Sequence, residues 1–307
     1  MLFSKEVTSG FAPNFYLFQA NAAALGLRLR RPEDVIVTEG SASLMAGGGR
    51  ASADGKQVNL FNGVLAADGY RTEVTGDFVD RAAAARLTES QRDTVSTWHT
   101  NKLEVVTTTE CTVNGIHSLN SDDAAGAAGK SLRAGQVDFR MEGRHGRNPD
   151  DQLEIRFSRL SFSEVSVNGR ALRITARPDV FDSCPTFDSF KNEFNSNAGF
   201  RKEFGHMVAR PAADSVRWSD DKLYDRRGYC VVTVVNKIEW VDPKGADPAI
   251  KINGHTVVVP GYGTIYFGEM TIMPIQRRLH MVRAELGCRI GGAIMMAAGC
   301  PGGHEFP

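Results

Sequence analysis

The seven histidines, His99, His117, His145, His206, His255, His280 and His304, have the most chemistry to offer, and their spacing withholds it. None stands as HxH, as HExxH or at the i, i+4 interval of one helix face, so no metal site is local in the sequence and none is expected. On a β scaffold, site residues come from separate strands. That singles out His255 and His280, on successive strand-like runs, as the pair to inspect first. A sandwich or barrel mouth would gather Tyr70, Arg71, His117 and Glu269 with them into a catalytic or small-ligand site. The neighbouring acids Asp122/Asp123, Asp150/Asp151 and Asp220/Asp221 sit in polar stretches, where adjacent carboxylates are solvated and do not face each other as an acid–base pair must. Gly129-Lys130-Ser131 evokes a phosphate loop, but the required earlier glycine is Ala124 and the following residues read as a strand. Gly-x-Ser-x-Gly is absent, so a hydrolase elbow has no nucleophile. No cofactor is implied.

The 307 residues carry a formal net charge of zero and 42% hydrophobic residues, enough to build a large core. The basic clusters Arg28-Leu29-Arg30-Arg31 and Arg277-Arg278 are short and balanced elsewhere by acids, which argues against nucleic-acid binding. Gly291–Gly299 is the most apolar stretch and is half the length of a membrane span, so no integral span is expected. The opening residues MLFSKEVTSG lack the apolar core of a signal peptide, which leaves two locations open: cytoplasmic, or extracellular after removal of a leader. Five cysteines show no CxxC pair. Cys288 and Cys300, flanking the strand-like Ile290–Ala297, are the best disulfide pair if one forms.

Nine runs rich in β-branched and aromatic residues must position whatever site exists: Val35–Glu39, Val58–Leu65, Leu103–Thr109, Val137–Met141, Leu153–Val167, Cys230–Trp240, Ile250–Val259, Thr264–Ile272 and Leu279–Leu286. They predict a mainly β fold, a β-sandwich or barrel, as one large domain over 1–307. Its hairpins are marked by four Asn-Gly dipeptides, Asn62-Gly63, Asn114-Gly115, Asn168-Gly169 and Asn253-Gly254, each read as a two-residue type I′ turn. Val165–Leu172 and Ile250–Val257 resemble each other, which leaves a diverged duplication and simple hairpin likeness both open. Two helical insertions are predicted, over 77–92 and 186–206. The second has Thr186 as N-cap, an interruption at Gly199 and a stripe of Phe187, Phe190, Phe194, Phe200 and Phe204. Packing on the sheet is the default use of such a stripe, and a partner-binding face is the alternative. The segments 120–135 and 210–228 read as surface loops.

Three stretches carry a family resemblance: Gly40–Asp68 (GSASLMAGGG…VNLFNGVLAAD), Phe162–Gly169 (FSEVSVNG), and Ile252-Asn253-Gly254 with Val259–Tyr266 (VPGYGTIY). The chain resembles the choice-of-anchor P family of bacterial surface proteins. That resemblance implies a secreted, mainly β module at the cell surface, with no catalytic residues to transfer. The leading expectation is therefore a non-enzymatic β module that works as a homo-oligomer or on a protein or polymer partner. The alternatives are an enzyme or small-ligand binder with a site in the sandwich or barrel mouth, and a secreted β-rich toxin.

Overall fold

The computed structural model describes residues 15–31, 34–78, 105–119, 131–145, 152–208, 229–287 and 291–306. Among these, strands dominate and fall into two large antiparallel sheets of eight strands each. The first contains β4 (Gly49–Leu60), β5 (Leu65–Phe78), β6 (Val105–Leu119), β7 (Ser131–His145), β8 (Glu154–Ser163), β9 (Ser166–Val167), β10 (Arg170–Ala176) and β12 (Val235–Trp240). The second contains β2 (Asn21–Leu29), β3 (Val35–Ser43), β11 (Cys230–Thr233), β13 (Lys251–Asn253), β14 (Thr256–Val259), β15 (Gly263–Met273), β16 (Gln276–Leu286) and β17 (Gly292–Cys300). A small ribbon pairs β1 (Phe15–Phe18) with β18 (Gly303–Phe306). The sheets stack as an open sandwich, and neither closes into the barrel that was the other expectation.

One apolar cluster joins the inner faces, from Leu25, Leu27 and Ile265 in one sheet to Val113, Phe139 and Met141 in the other. Several polar groups on those faces find partners inside, although Thr109 Oγ1, also buried, has none among the described residues. Thr72 Oγ1 donates to Gly40 O across the sandwich at 2.9 Å, and Tyr262 OH donates to Ser118 Oγ at 2.8 Å, which donates in turn to Val64 O at 2.7 Å. Buried hydroxyls without such partners would cost more than they return.

Both sheets carry a transverse crease. In the first, the residues Gln57, Asp68, Gly115, Gly135 and Glu164 lie opposite one another on successive strands, and every second one is left-handed, with φ of 54° at Gln57, 57° at Gly115 and 51° at Glu164. In the second, the row is Val234, Gly268, Met281, Ala297, Ala24 and Gly40, with φ of 64°, 49° and 65° at Gly268, Ala297 and Gly40. Each strand changes the parity of its buried residues as it crosses the row. β5 buries Leu65 and Ala67 before it and Tyr70, Thr72 and Val74 after it. β15 buries Ile265 and Phe267, then Met270 and Ile272. A left-handed residue turns the next peptide over, and because all strands flip on one line the pairing continues without an inserted residue.

The Asn-Gly dipeptides part ways. Asn168-Gly169 is the expected two-residue turn, with positive φ at both positions between the paired Val167 and Arg170. Asn62-Gly63 lies in a four-residue connection, Phe61–Val64. Asn253 belongs to β13 and pairs with Thr256, so the turn residues are Gly254 and His255, with positive φ at Gly254 alone, as in a type II′ turn. Asn114-Gly115 is no turn at all, because it sits inside β6 where the crease passes. Gly254→Val is expected to lower stability by about 1–3 kcal/mol through backbone strain alone, since a side chain there meets open space. An unchanged urea midpoint would show the turn to be misassigned.

The two similar hairpins occupy chain-reversed places. β9–β10 follows the strand β7 that receives it, whereas β13–β14 precedes its receiver β15, so the connection order does not repeat. Three further expectations need correction. Asp77 and Phe78 continue β5 opposite Val106 and Val105, so no helix starts there, and 79–92 lies outside the described residues. Ser131–Gly135 is the start of β7, with Leu132 and Ala134 turned inward, while 120–130 and 210–228 lie outside the described residues. The insertion over 186–206 forms α2 (Phe187–Ser196) and α3 (Ala198–Phe204), preceded by α1 (Asp179–Ser183). Thr186 does cap α2, in a reciprocal box with Ser189, but the break falls at Asn197, whose Oδ1 accepts from Phe200 N to start α3. Among the described residues no helix is long and apolar enough to cross a membrane.

Candidate functional site

Of the six residues singled out for a site, the register of β14, β15 and β16 brings three together. Glu269 lies opposite His280, and Phe267 N donates to His255 O at 3.0 Å, which sets the His255 ring beside Tyr266. Glu269 is the centre. Arg283 Nε donates to its Oε2 at 2.7 Å, and His255 Nε2 lies 3.7 Å from its Oε1, an ion-pair distance too long for a hydrogen bond. The Arg283 guanidinium also donates through Nη1 to Glu285 Oε1 at 2.7 Å and stacks 3.9 Å above the Tyr266 ring. The Glu269 side chain is 15% exposed and that of His255 12%. Among the described residues no group of three His, Cys, Asp or Glu side chains converges as a metal site. Sequence reasoning missed Arg283, Tyr266 and Glu285. Their signal is the β15–β16 register, which sets Tyr266 against Arg283 once the tight turn after Met273 is located.

This cluster gives the fold an acid-sensitive side. Burial pushes the Glu269 carboxyl up, but Arg283 and His255 outweigh it and hold the carboxyl at about 2. Its folded pKa is depressed, so its stabilisation is complete above the ordinary 4.5 and is lost as pH falls toward about 2. Burial, then the charge of Arg278, draws His280 down to about 4; Glu269 opposes this and Arg283 adds to it. The folded state thus disfavours the proton, and that contribution is present above the ordinary 6.5 and disappears as pH drops toward about 4. Melting temperatures of His280→Gln are expected to vary less than those of the parent over that upper window. Parallel profiles would refute the assignment.

The other sequence-selected residues do not join them. Tyr70 faces the core of the first sheet and donates to Glu39 Oε1 at 3.1 Å, while Arg71 is on the outer face, paired with Glu73 at 3.1 Å. His117 lies on β6 opposite Arg133, its pKa drawn down first by burial and then by that charge. The phenylalanine stripe packs inward. Phe187 and Phe190 are buried, so a partner cannot reach them, and Phe194, Phe200 and Phe204 pack against the core from its rim. Of the expected Cys288–Cys300 pair, Cys288 lies outside the described residues. Cys300 is a free thiol that donates to Gln276 Oε1 at 3.3 Å, at the far end of nine-residue β17 from Gly291.

The helical insertion instead serves the sheet edges. Ile155 N and Phe157 N, on the free side of β8, donate to Pro185 O at 2.9 Å and to Asp182 Oδ1 at 2.8 Å. Val208 bridges to Val232 of β11, and His206 Nε2 lies 2.9 Å from Asn236 Oδ1 on β12. Arg277 fastens the insertion. Its buried guanidinium donates from Nη2 to Cys184 O at 2.8 Å and to Pro185 O at 2.7 Å, and Nη1 has no hydrogen-bond partner among the described residues.

The comparisons bear on this middle portion. Residues 130–273 match a family described as a domain of unknown function, DUF8256. Among curated proteins none matches. The matched region runs from the start of β7 to the end of β15, so it contains the helical insertion, His255 and Glu269 but leaves out Arg277, His280 and Arg283.

Proposed function

We infer that the chain is an association module whose second sheet is extended through β3 by a second copy of itself. The observation that supports this is the contrast among the sheet edges. β8, β11 and β12 are covered by the insertion, β13 is three residues long, and β4 turns Arg50, Asp54 and Lys56 outward and kinks at Gln57. Such devices discourage pairing. β3 has none of them over Val35–Glu39. It pairs only with β2 among the described residues, begins Val-Ile-Val-Thr, and leaves Ile36 69% exposed, with Met45 82% exposed at the following turn. Two-fold pairing about Val37 sets Ile36 against Thr38 and Val35 against Glu39, with no like charges opposed. The resemblance to bacterial surface proteins fits this reading and a place outside the cell.

A contact of one strand edge is smaller than the roughly 1,200 Å² of a stable interface, so association should depend on concentration. Light scattering over a concentration series is expected to show a monomer–dimer equilibrium that Ile36→Lys abolishes without changing the melting temperature. A protein that is monomeric throughout, or a dimer indifferent to Ile36→Lys, rules the reading out. One observation favours the second reading, a small-ligand site at Glu269: His255 Nε2 is a buried nitrogen without a hydrogen bond among the described residues. Turnover or binding of a metabolite that His255→Ala abolishes, in a monomeric protein, would decide for it.

A further inference from the structure

Four Asn-Gly dipeptides in one chain have the same local chemistry and are held in four different ways. In each, the glycine amide nitrogen, unhindered by a side chain, is the atom the asparagine side-chain carbon Cγ can close on to form a five-membered ring. When that nitrogen attacks Cγ, a five-membered succinimide forms, the Cγ–Nδ2 bond breaks, and Nδ2 leaves as ammonia with the proton from the glycine nitrogen. Water then opens the ring to aspartate or isoaspartate. The sum is asparagine plus water giving acid plus ammonia, with no change of oxidation state. The ring closes only where the side chain is free to swing over the next nitrogen and the local backbone yields.

Asn114 lacks that freedom. It is paired on both sides within the sheet, opposite Gly69 and Gln136, and its Oδ1 accepts from Gln136 Nε2 at 3.0 Å. Asn168 is pinned twice to β7, where its Oδ1 accepts from Ser131 N at 3.1 Å and its own N donates to Ser131 O at 2.9 Å. Asn62 and Asn253 are exposed, and neither side chain has a hydrogen bond among the described residues. Asn62 stands in the four-residue turn Phe61–Val64, and Asn253 ends the three-residue edge strand β13 with open space around Gly254.

We propose that Asn62 and Asn253 are sites of spontaneous deamidation in the folded protein, and that the fold protects Asn114 and Asn168. The modification carries the formal net charge from zero to −2 when both sites react. At Asn253 it places a carboxylate two residues from His255. In the isoaspartate product it also adds a methylene to the main chain of the hairpin.

The test follows peptide masses during incubation of the intact protein at mildly alkaline pH, beside a sample unfolded in urea that reports the intrinsic rate at each dipeptide. Asn62 and Asn253 are expected to convert in the folded protein within about threefold of their unfolded rates, and Asn114 and Asn168 at least about tenfold slower than theirs, since each must first break its hydrogen bonds and open the strand. Equal protection at all four sites, or faster conversion at Asn114 or Asn168, overturns the proposal. So does an Asn62 or Asn253 that stays intact while the unfolded control converts. Ion-exchange chromatography supplies an independent reading, as one or two added negative charges in the aged folded protein.

Discussion

Gly40→Ala is expected to lower the stability of the chain by about 3 kcal/mol, combining about 1–2 kcal/mol for a left-handed L-residue with about 1–3 kcal/mol for overpacking. Gly40 has a φ of 65°, and a β-carbon there would lie 2.5 Å from Tyr70 Cε2 and 2.8 Å from the Ala24 β-carbon. Tyr70 cannot retreat easily, because its ring is buried between the sheets and its hydroxyl is tied to Glu39. Urea unfolding measures the loss. Gly47→Ala is the control: its β-carbon meets nothing within 4 Å, so its stability should change by no more than about 0.5 kcal/mol. Adding Tyr70→Leu to Gly40→Ala should return part of the steric share and none of the backbone share. If Gly40→Ala behaves like the control, Gly40 does not lie on the crease.

Arg277→Met should cost a similar amount, about 3 kcal/mol, from two lost charge-assisted hydrogen bonds, with Pro185 O keeping only Ile155 N as a donor. Burial draws the Arg277 guanidinium down to about 10, against the opposing charge of Asp182, so the side chain is held where a charge is expensive. The local signature is more telling than the midpoint. Once Cys184 O and Pro185 O are released, the insertion loosens, and the amides of Ile155 and Phe157 should exchange with solvent faster along with those of α1–α3, while β5 to β7 keep their protection. Arg277→Lys should not restore them, because one ammonium does not reproduce the planar fork. Uniform acceleration across the chain would mean that Arg277 stabilises the core and does not fasten the insertion.

Fold class was legible because strand chemistry repeats wherever a strand runs: the Leu279–Leu286 run lies within β16, and the Leu153–Val167 run covers β8 and β9 with the break at Glu164 and Val165 between them. Strand length was not. β5 has 14 residues, and its alternation reverses at Asp68, so a period-two reading sees two short, contradictory fragments. The same reversal explains Asn114-Gly115, where a glycine required by the crease imitates a hairpin signal. The candidate site was half legible. His255, Glu269 and His280 stand out as polar residues on apolar runs, but Arg283 becomes their partner only through the register with Tyr266, which no local pattern contains. Arg277 reads as half of a basic surface pair, and its burial depends on an insertion that returns to it from residues 184 and 185.

The crease has a consequence for how the strands find their alignment. In an evenly pleated sheet, sliding one strand by two residues restores every side chain to its proper face, so alternation alone leaves a ladder of near-equivalent alignments. A parity reversal at one fixed place removes that degeneracy. If β6 slid by two residues against β5 and β7, its reversal near Gly115 would fall out of line with Asp68 and Gly135, and the residues caught between the old and new lines would turn apolar groups to water and polar groups to the core. The row works like the notch of a key. It gives each long strand an absolute position along its neighbours, where period two gives only a position modulo two, in sheets whose strands of up to 15 residues would otherwise have ample room to slip.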